Sequence, residues 1–573
     1  MIMTGANKTA ARRAAWMART AIALTAAMAL SSCAVLPPAP PADDTIGPRA
    51  APTTAPSEVA AAPGAGPSGP PVATAPLSQP AAPATAPAPG PSGPLSLTVD
   101  QAILMALEHN QALRVQRLEP AIGRTFEQQE RAEFDPILSA EASYARRRAP
   151  RDSDDDRVTT GEALLGAILS QHLPTGADVS AGLTNDLTTL DLRDDRYVTR
   201  LGLSVNQALL QGAGLSVNLA TVRQARLDTL ASEYELRGFA EALVAQTEQT
   251  YWDYAMALRT IEIVTNAMTL ARQQIQETRE RVNVGTLAET ELAAAEAELA
   301  RRRENLINAR GALAIVRLRL LRLLNPQRED FWQAELALQS APAAPEVQLD
   351  DVETYVQVAL RMRPELNQAR LGIQRGDLEL VKTRNGLLPR LDLFVTLGKS
   401  GYAESFGRGY ADLSEDGYDA LVGLRLEYPP ANRAAAARHQ RAQYSREQAL
   451  RALENLSQLA QVDVRSAYVE VGRALEQVAA TAATRRLQEE TLRVETEKFR
   501  VGKSTNFQVA QAQRDLLESR ISEVRAGVAY LKALTDLHLQ QGALLERRGI
   551  IAPGAGPVDM RWPSPVSPAP ARR

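Results

Sequence analysis

Two stretches of this chain, residues 214–283 and 433–500, contain no proline and are rich in Ala, Leu, Arg, Glu and Gln. Read as helices rising 1.5 Å per residue, they would span about 105 Å and about 100 Å, far longer than the helices of a compact domain. Each stops at the same dipeptide, Val284–Gly285 in "NVGTLAETELAAAEAEL" and Val501–Gly502 in "RVGKSTNFQVAQAQRDL". Glycine relaxes φ and lets a chain reverse, so a shorter helix is predicted to return from each turn. The first ends at Pro326 and the second near Gly542. In the first returning helix apolar residues alternate three and four apart at Leu292, Ala295, Leu299, Leu306, Ala309, Leu313, Val316 and Leu320, with Arg302 filling one slot. That narrow seam predicts coiled-coil packing rather than the wider stripe of a globular helix.

The turns lie 217 residues apart, as do Tyr251 and Tyr468, Ala295 and Ala512, and Leu299 and Leu516. Further upstream "ALEHNQAL" (106–113) matches "ALRMRPEL" (359–366) and Pro136 matches Pro389, both at a spacing of 253. The chain therefore reads as two tandem copies of one unit, the first longer by 36 residues. In each copy a helix ends at the proline, which disfavours helix in the residue before it, and Pro120 is predicted to kink its own helix. Strand alternation follows. Leu138, Ala140, Ala142 and Tyr144 oppose Ser139, Glu141 and Ser143, and Leu201, Leu203 and Val205 oppose Gly202, Ser204 and Asn206. The second copy has Leu391, Leu393, Val395 and Leu397, then Val422, Leu424 and Leu426 opposed by Gly423, Arg425 and Glu427. Apolar on one face and polar on the other at period two is the pattern of a strand between lipid and an aqueous lumen.

Two strands per copy make four per chain, and an open sheet in lipid would leave backbone groups unpaired at its edges. The barrel must therefore close between chains. The extra residues of the first copy include "LLGAILSQHLPTGADVSAGL", Leu164 to Leu183, read as a hairpin around Pro174–Gly176. It either extends the rim outside the cell or adds two strands to the wall, and the rim is the favoured reading.

The N-terminus carries Lys8, Arg12, Arg13 and Arg19, then "AIALTAAMAL", then "SSC". This is the order of an export signal, too short and wrongly flanked for a spanning helix. "LSSC", Leu30 to Cys33, resembles the lipobox of bacterial lipoproteins, which makes Cys33 a lipidation site; it is the only cysteine in the chain. The organisation is then a lipoprotein signal peptide at 1–32, a lipidated Cys and Pro/Ala-rich flexible tether at 33–94, a first repeat at 95–345, a second at 346–551 and a Pro-rich disordered tail at 552–573.

A net charge of −3 and the lack of a Lys/Arg run interleaved with aromatics argue against nucleic acid as a partner. His109, His172, His439 and His538 are scattered, and HExxH, GxSxG and Walker-type loops are absent from the sequence. "GAGLS" at Gly212 opens a helix but lacks the lysine of a phosphate loop, and "DSDDD", Asp152 to Asp156, reads as a solvated extracellular tip rather than a Ca²⁺ loop. Neither catalysis nor a metal or cofactor is expected.

Taken together, the duplicated "ALxxNxxL" entry, Pro136 and Pro389, "NQALLQGAG" (206–214), "PPANRAAAA" (429–437) and the paired Val–Gly turns resemble the TolC-like outer-membrane efflux proteins, across about Leu95 to Leu545. The resemblance implies a fold that is mostly α with membrane β: a homotrimer whose twelve-stranded β-barrel in outer-membrane lipid continues as an α-helical coiled-coil barrel across the periplasm. It implies passive export, driven by an inner-membrane transporter through a periplasmic adaptor protein. It also places adaptor-docking tips at Val284, Gly285, Thr286 and Leu287 and at Val501, Gly502, Lys503 and Ser504. The best-known member has two aspartates ringing its pore aperture, where this chain has Gln508 and Gln511, so cation selectivity at that ring is in question. The competing reading is a lipid-anchored periplasmic coiled-coil scaffold or adaptor without a pore, which would need no amphipathic strands.

Overall fold

The computed structural model describes residues 47–48 and 94–558, apart from 152–153, 191–192, 328–330, 342–344, 346, 414–417 and 555. Cys33 and the signal segment lie outside the described residues, as do the side chains of the acidic run 152–156. The chain is mostly helical with one large sheet. Helices α1 (Val99–His109), α2 (Gln111–Gln116) and α3 (Leu118–Arg131) precede the first strands. After those strands come a single turn, α4 (Leu215–Asn218), then α5 (Ala220–Asn283) and α6 (Glu289–Leu324). A second series follows: α7 (Val352–Met362), α8 (Pro364–Asn385), a short α9 (Phe406–Asp412), then α10 (Arg433–Arg500), α11 (Asn506–Gln540) and α12 (Leu544–Arg547).

The two proline-free stretches are α5 and α10, 64 and 68 residues long. Their lengths come to about 96 Å and about 102 Å at the helical rise. α5 packs along α6 and against α1 and α3, while α10 packs along α11 and against α7 and α8. α5 also touches α8 and α11, which joins the two halves of the chain. The predicted seam of α6 is the buried one: Ala295, Arg302, Leu306 and Leu320 are all covered. Arg302 keeps its slot because its Nη2 lies 2.7 Å from Glu298 Oε1 in an ion pair, and Glu298 is buried beside it. An unpaired cation there would carry a large desolvation penalty.

The helix expected before Pro136 is in three pieces, and the breaks fall at Asn110 and Arg117 rather than at Pro120. Pro120 sits in the first turn of α3, where a backbone N–H would have no intrahelical acceptor, so its missing donor costs nothing. Asn110 ends α1 and caps α2: its side-chain oxygen accepts from the Leu113 N–H at 3.1 Å, and its amide donates to the Leu323 carbonyl at 3.1 Å. The "ALxxNxxL" motif is therefore a helix–cap–helix corner whose Ala106 and Leu113 are buried. In the second series Ala359 and Leu366 are buried likewise, and Pro364 opens α8 at the position that tolerates it best.

The large sheet contains β1 (Ile137–Arg151), β2 (Asp154–Leu173), β3 (Ala177–Leu190), β4 (Arg193–Ala208), β5 (Arg390–Ala403) and β6 (Tyr418–Glu427). They lie side by side in that order, every neighbouring pair antiparallel, with β1 and β6 at the edges. The expectation of four strands per chain is corrected to six. Leu164 to Leu183 forms the bulk of two central strands, whose polar and apolar residues stay in register with those on either side. Leu138 pairs with Leu169, Leu183 with Leu201, Leu203 with Leu397, and Leu393 with Leu424. One face is thus predominantly aliphatic, and it is widely exposed in the single chain at Leu138, Leu203, Val422 and Leu424. The other carries Ser139, Gly182, Gly202, Ser204 and Arg425. Among the described residues no helix is long and apolar enough to cross a membrane.

Polar residues interrupt the aliphatic face at Asn185 and its cross-strand partner Thr199. The Asn185 amide donates to the Thr199 hydroxyl at 2.6 Å, and both side chains are buried under α9. Gly409 of α9 lies so close that a Cβ there would be 2.7 Å from the Thr199 hydroxyl. The cover and the mutual hydrogen bond remove two polar groups from a predominantly aliphatic face.

Beyond the sheet, short strands wrap the middle of the helices. Leu95–Leu97 runs parallel to Leu336–Leu338, and Gly47–Pro48 pairs with Ile550–Ile551. Tyr251 reaches out of α5 to donate to the Leu97 carbonyl at 3.0 Å, and Tyr254 to the Leu336 carbonyl at 3.3 Å. The C-terminal segment is held by Arg237, whose side chain is 1% exposed. Its guanidinium donates to Glu241 at 3.1 Å, to the Gly542 carbonyl at 3.1 Å, to the Gly554 carbonyl at 3.4 Å and to Glu546. Burial pushes the Glu241 carboxyl up, to about 8, with Arg237 pulling it back.

Candidate functional site at the hairpin tips

Both long helices end by the same local rule. The Thr286 N–H donates to the Arg281 carbonyl at 2.9 Å and the Lys503 N–H to the Lys498 carbonyl at 2.8 Å, the six-to-one bond that closes a helix over a left-handed residue. That residue is Gly285, at φ +75°, in the first tip and Gly502, at φ +74°, in the second. Nothing lies within 4 Å of where a Cβ would sit at either glycine, so the requirement is on backbone angle, not on space. Val284 and Val501, the residues before them, are 73% and 68% exposed. Leu287 and Ser504 are half-buried, while Thr286 and Lys503 face solvent.

The tips differ in how the returning helix begins. α6 starts at Ala288 with no side-chain cap. α11 starts with a capping box: the Thr505 hydroxyl accepts from the Gln508 N–H at 3.3 Å, and the Gln508 carbonyl oxygen accepts from the Thr505 N–H at 3.1 Å. Ser504 Oγ lies 2.8 Å both from Gln508 Oε1 and from Glu495 of α10, so its one hydroxyl proton serves either acceptor. Gln508 is therefore committed to holding the turn, a role written in the Thr-x-x-Gln spacing. Gln511, one turn on, is exposed and donates to Asp515 at 2.9 Å.

Contacts between the two hairpins were not legible in the sequence. The Arg281 guanidinium lies 5.0 Å over the ring of Phe499, so the end of α5 is pinned to the end of α10 by a cation–π contact. Gln274 donates to Asn506 at 3.4 Å. Below them Ile263, Val264 and Met268 of α5, Leu306 of α6 and Leu517 of α11 form one apolar cluster. Phe507 remains 70% exposed at the extremity with Arg514 over its ring at 5.8 Å.

The profile of the outer membrane efflux proteins matches residues 355–543, from α7 to the end of α11. The match covers 189 of the chain's 573 residues. Around the matched segment the whole fold is similar to solved outer-membrane channels. The outer-membrane channel OprN superposes with a TM-score of 0.59 at 18% identity, over 78% of this chain and 89% of its own. The CmeC outer membrane channel of Campylobacter jejuni gives 0.59 at 15% identity, over 78% and 86%. The open state of the MtrE outer membrane channel of Neisseria gonorrhoeae gives 0.57 at 18%, over 78% and 89%. Among curated proteins no sequence match is found. The fold is that of the TolC-like outer-membrane channels.

Proposed function

We propose that the protein is the outer-membrane channel of an efflux or type I secretion assembly: two tandem units per chain, three chains closing a β-barrel in the outer membrane and a helical barrel below it. One observation carries this reading. A sheet with one aliphatic and one polar face is continuous, at both of its halves, with helical hairpins of about 100 Å, and among the described residues its two edges have no strand partner. A pore-free coiled-coil scaffold has no use for such a sheet. Export through the conduit is passive; a periplasmic adaptor docks at the Val–Gly tips, and an inner-membrane transporter supplies the energy and selects the cargo. Cys33 carries the lipid that anchors the chain, and loss of lipid labelling in Cys33→Ser tests that point.

The decisive experiment is reconstitution. The purified protein is expected to migrate as a heat-modifiable trimer and to conduct in planar bilayers; a monomer without conductance would leave the scaffold reading in its place. In the same recordings Gln508→Asp with Gln511→Asp is expected to turn the channel towards cations, because three copies would set six carboxylates round one aperture. An unchanged reversal potential would remove these residues from the narrow point. Asp at the third helical position still suits the positive end of α11, so the variant keeps its turn.

A further inference from the structure

The β2–β3 hairpin has no counterpart between β5 and β6, and where it sits decides how wide the wall is. Its turn, Pro174–Gly176, lies at the end of the sheet from which the helices leave. There the Gly176 carbonyl accepts from the Ala208 N–H at 3.0 Å, and the Thr175 carbonyl accepts from the Gly214 N–H at 3.0 Å. The Pro174 carbonyl accepts from the Asn218 amide at 3.2 Å. Gly176 has φ +86°, and a Cβ there would lie 2.1 Å from the Gly212 carbonyl oxygen, so the turn is fitted against the corner between β4 and α4. On the other side Gln171 donates to the Phe134 carbonyl at 2.9 Å, tying β2 to the corner where α3 gives way to β1. Both strands keep the two-faced pattern: Leu169 pairs with Ala181 and Leu183 with Leu201 on the aliphatic face, while Thr184 pairs with Arg200 on the other. A hairpin standing in water at the outer rim needs neither feature.

We propose that all six strands are wall strands and that β1 of one copy pairs with β6 of the next, so that three copies close a barrel of eighteen strands rather than twelve. This rests on the trimeric-channel reading. The occupant of each free edge is a second copy of this chain, because lipid offers no partner for the N–H and C=O groups that β1 and β6 leave open. Directions alternate across the sheet, so β6 runs opposite to β1 and the closing pair is antiparallel like the rest. The aliphatic faces then continue round the ring, Leu138 and Tyr144 of one copy beside Leu424 and Leu426 of the next. Barrel diameter grows nearly in proportion to strand number, so this wall is about 1.5 times as wide as one of twelve strands and encloses an aqueous bore. The limit on cargo size then lies at the helical tips.

Single cysteines at Leu183 and Thr184, with Leu203 and Ser204 as the control pair, test the assignment in reconstituted vesicles treated with a membrane-impermeant maleimide, the unsubstituted chain correcting for Cys33. Leu183→Cys is expected to react roughly ten-fold more slowly than Thr184→Cys, as Leu203→Cys does relative to Ser204→Cys, since a thiol facing lipid meets neither water nor reagent. Fast reaction at both 183 and 184 with a normal control pair overturns the eighteen-stranded wall and leaves the channel reading standing. Loss of alternation at the control pair overturns the channel reading itself. Electron microscopy down the trimer axis gives an independent count, and twelve strands in the wall would also overturn the proposal.

Discussion

Arg237→Met is expected to cost about 3 kcal/mol, because it leaves several buried acceptors without their donor. The side chain is 1% exposed and is the shared donor for Glu241, Glu546 and two C-terminal carbonyls, so its loss leaves the buried Glu241 carboxyl and both carbonyls without that donor and frees the segment after α11. Thermal unfolding in detergent and protease sensitivity around 540–558 would both register it. A melting temperature within a degree or two of the parent would show that the clasp is dispensable. The pH dependence follows from the same pair. Burial holds the Glu241 carboxyl near 8, above its ordinary 4.5, so the folded state retains a proton that the unfolded state has released. The stability this group contributes is complete below about 4.5 and is lost as pH rises through about 8. Glu241→Gln is expected to flatten the fall in stability across that window.

Gly502→Val is expected to abolish export while leaving a folded, membrane-inserted protein. A β-branched residue at φ +74° is held in a conformation that costs about 1–2 kcal/mol, borne at the tip alone, where nothing else packs on the glycine. Val501→Asp separates docking from turn-making. It leaves the backbone untouched and changes only a side chain that is 68% exposed. If an adaptor seats on this tip, export and adaptor cross-linking fall sharply with Val501→Asp as well. Normal export in that variant would reduce Gly502 to its part in the turn. Val284→Asp at the other tip is the parallel case, and the two together report whether both hairpins are engaged.

Much of this architecture is legible along the chain because its causes are local. The limits of α10, Arg433 to Arg500, follow from proline-free helix-forming composition up to Val501–Gly502, and the closing bond spans only five residues. The strand faces follow from period-two alternation that each strand carries by itself. The Gln508 cap is equally local, since Thr-x-x-Gln carries it within four residues. The breaks at Asn110 and Arg117 were less accessible, since Asn110 caps α2 partly because its amide has the Leu323 carbonyl to meet, 213 residues away.

By itself, then, the sequence determined the two long helical hairpins, their glycine turns, the coiled-coil seam and the two-faced character of the strands, all properties of periodicity and backbone angle within a few residues. Only the tertiary structure decided how many strands share the sheet, which corner receives the Pro174–Gly176 turn, that α9 covers Asn185 and Thr199, and that Arg237 holds a segment about 300 residues downstream. Those depend on which surfaces meet. A hairpin with alternating faces is equally sound in water or in a wall, and what settled its place in the sheet is the ladder of partners on both its sides.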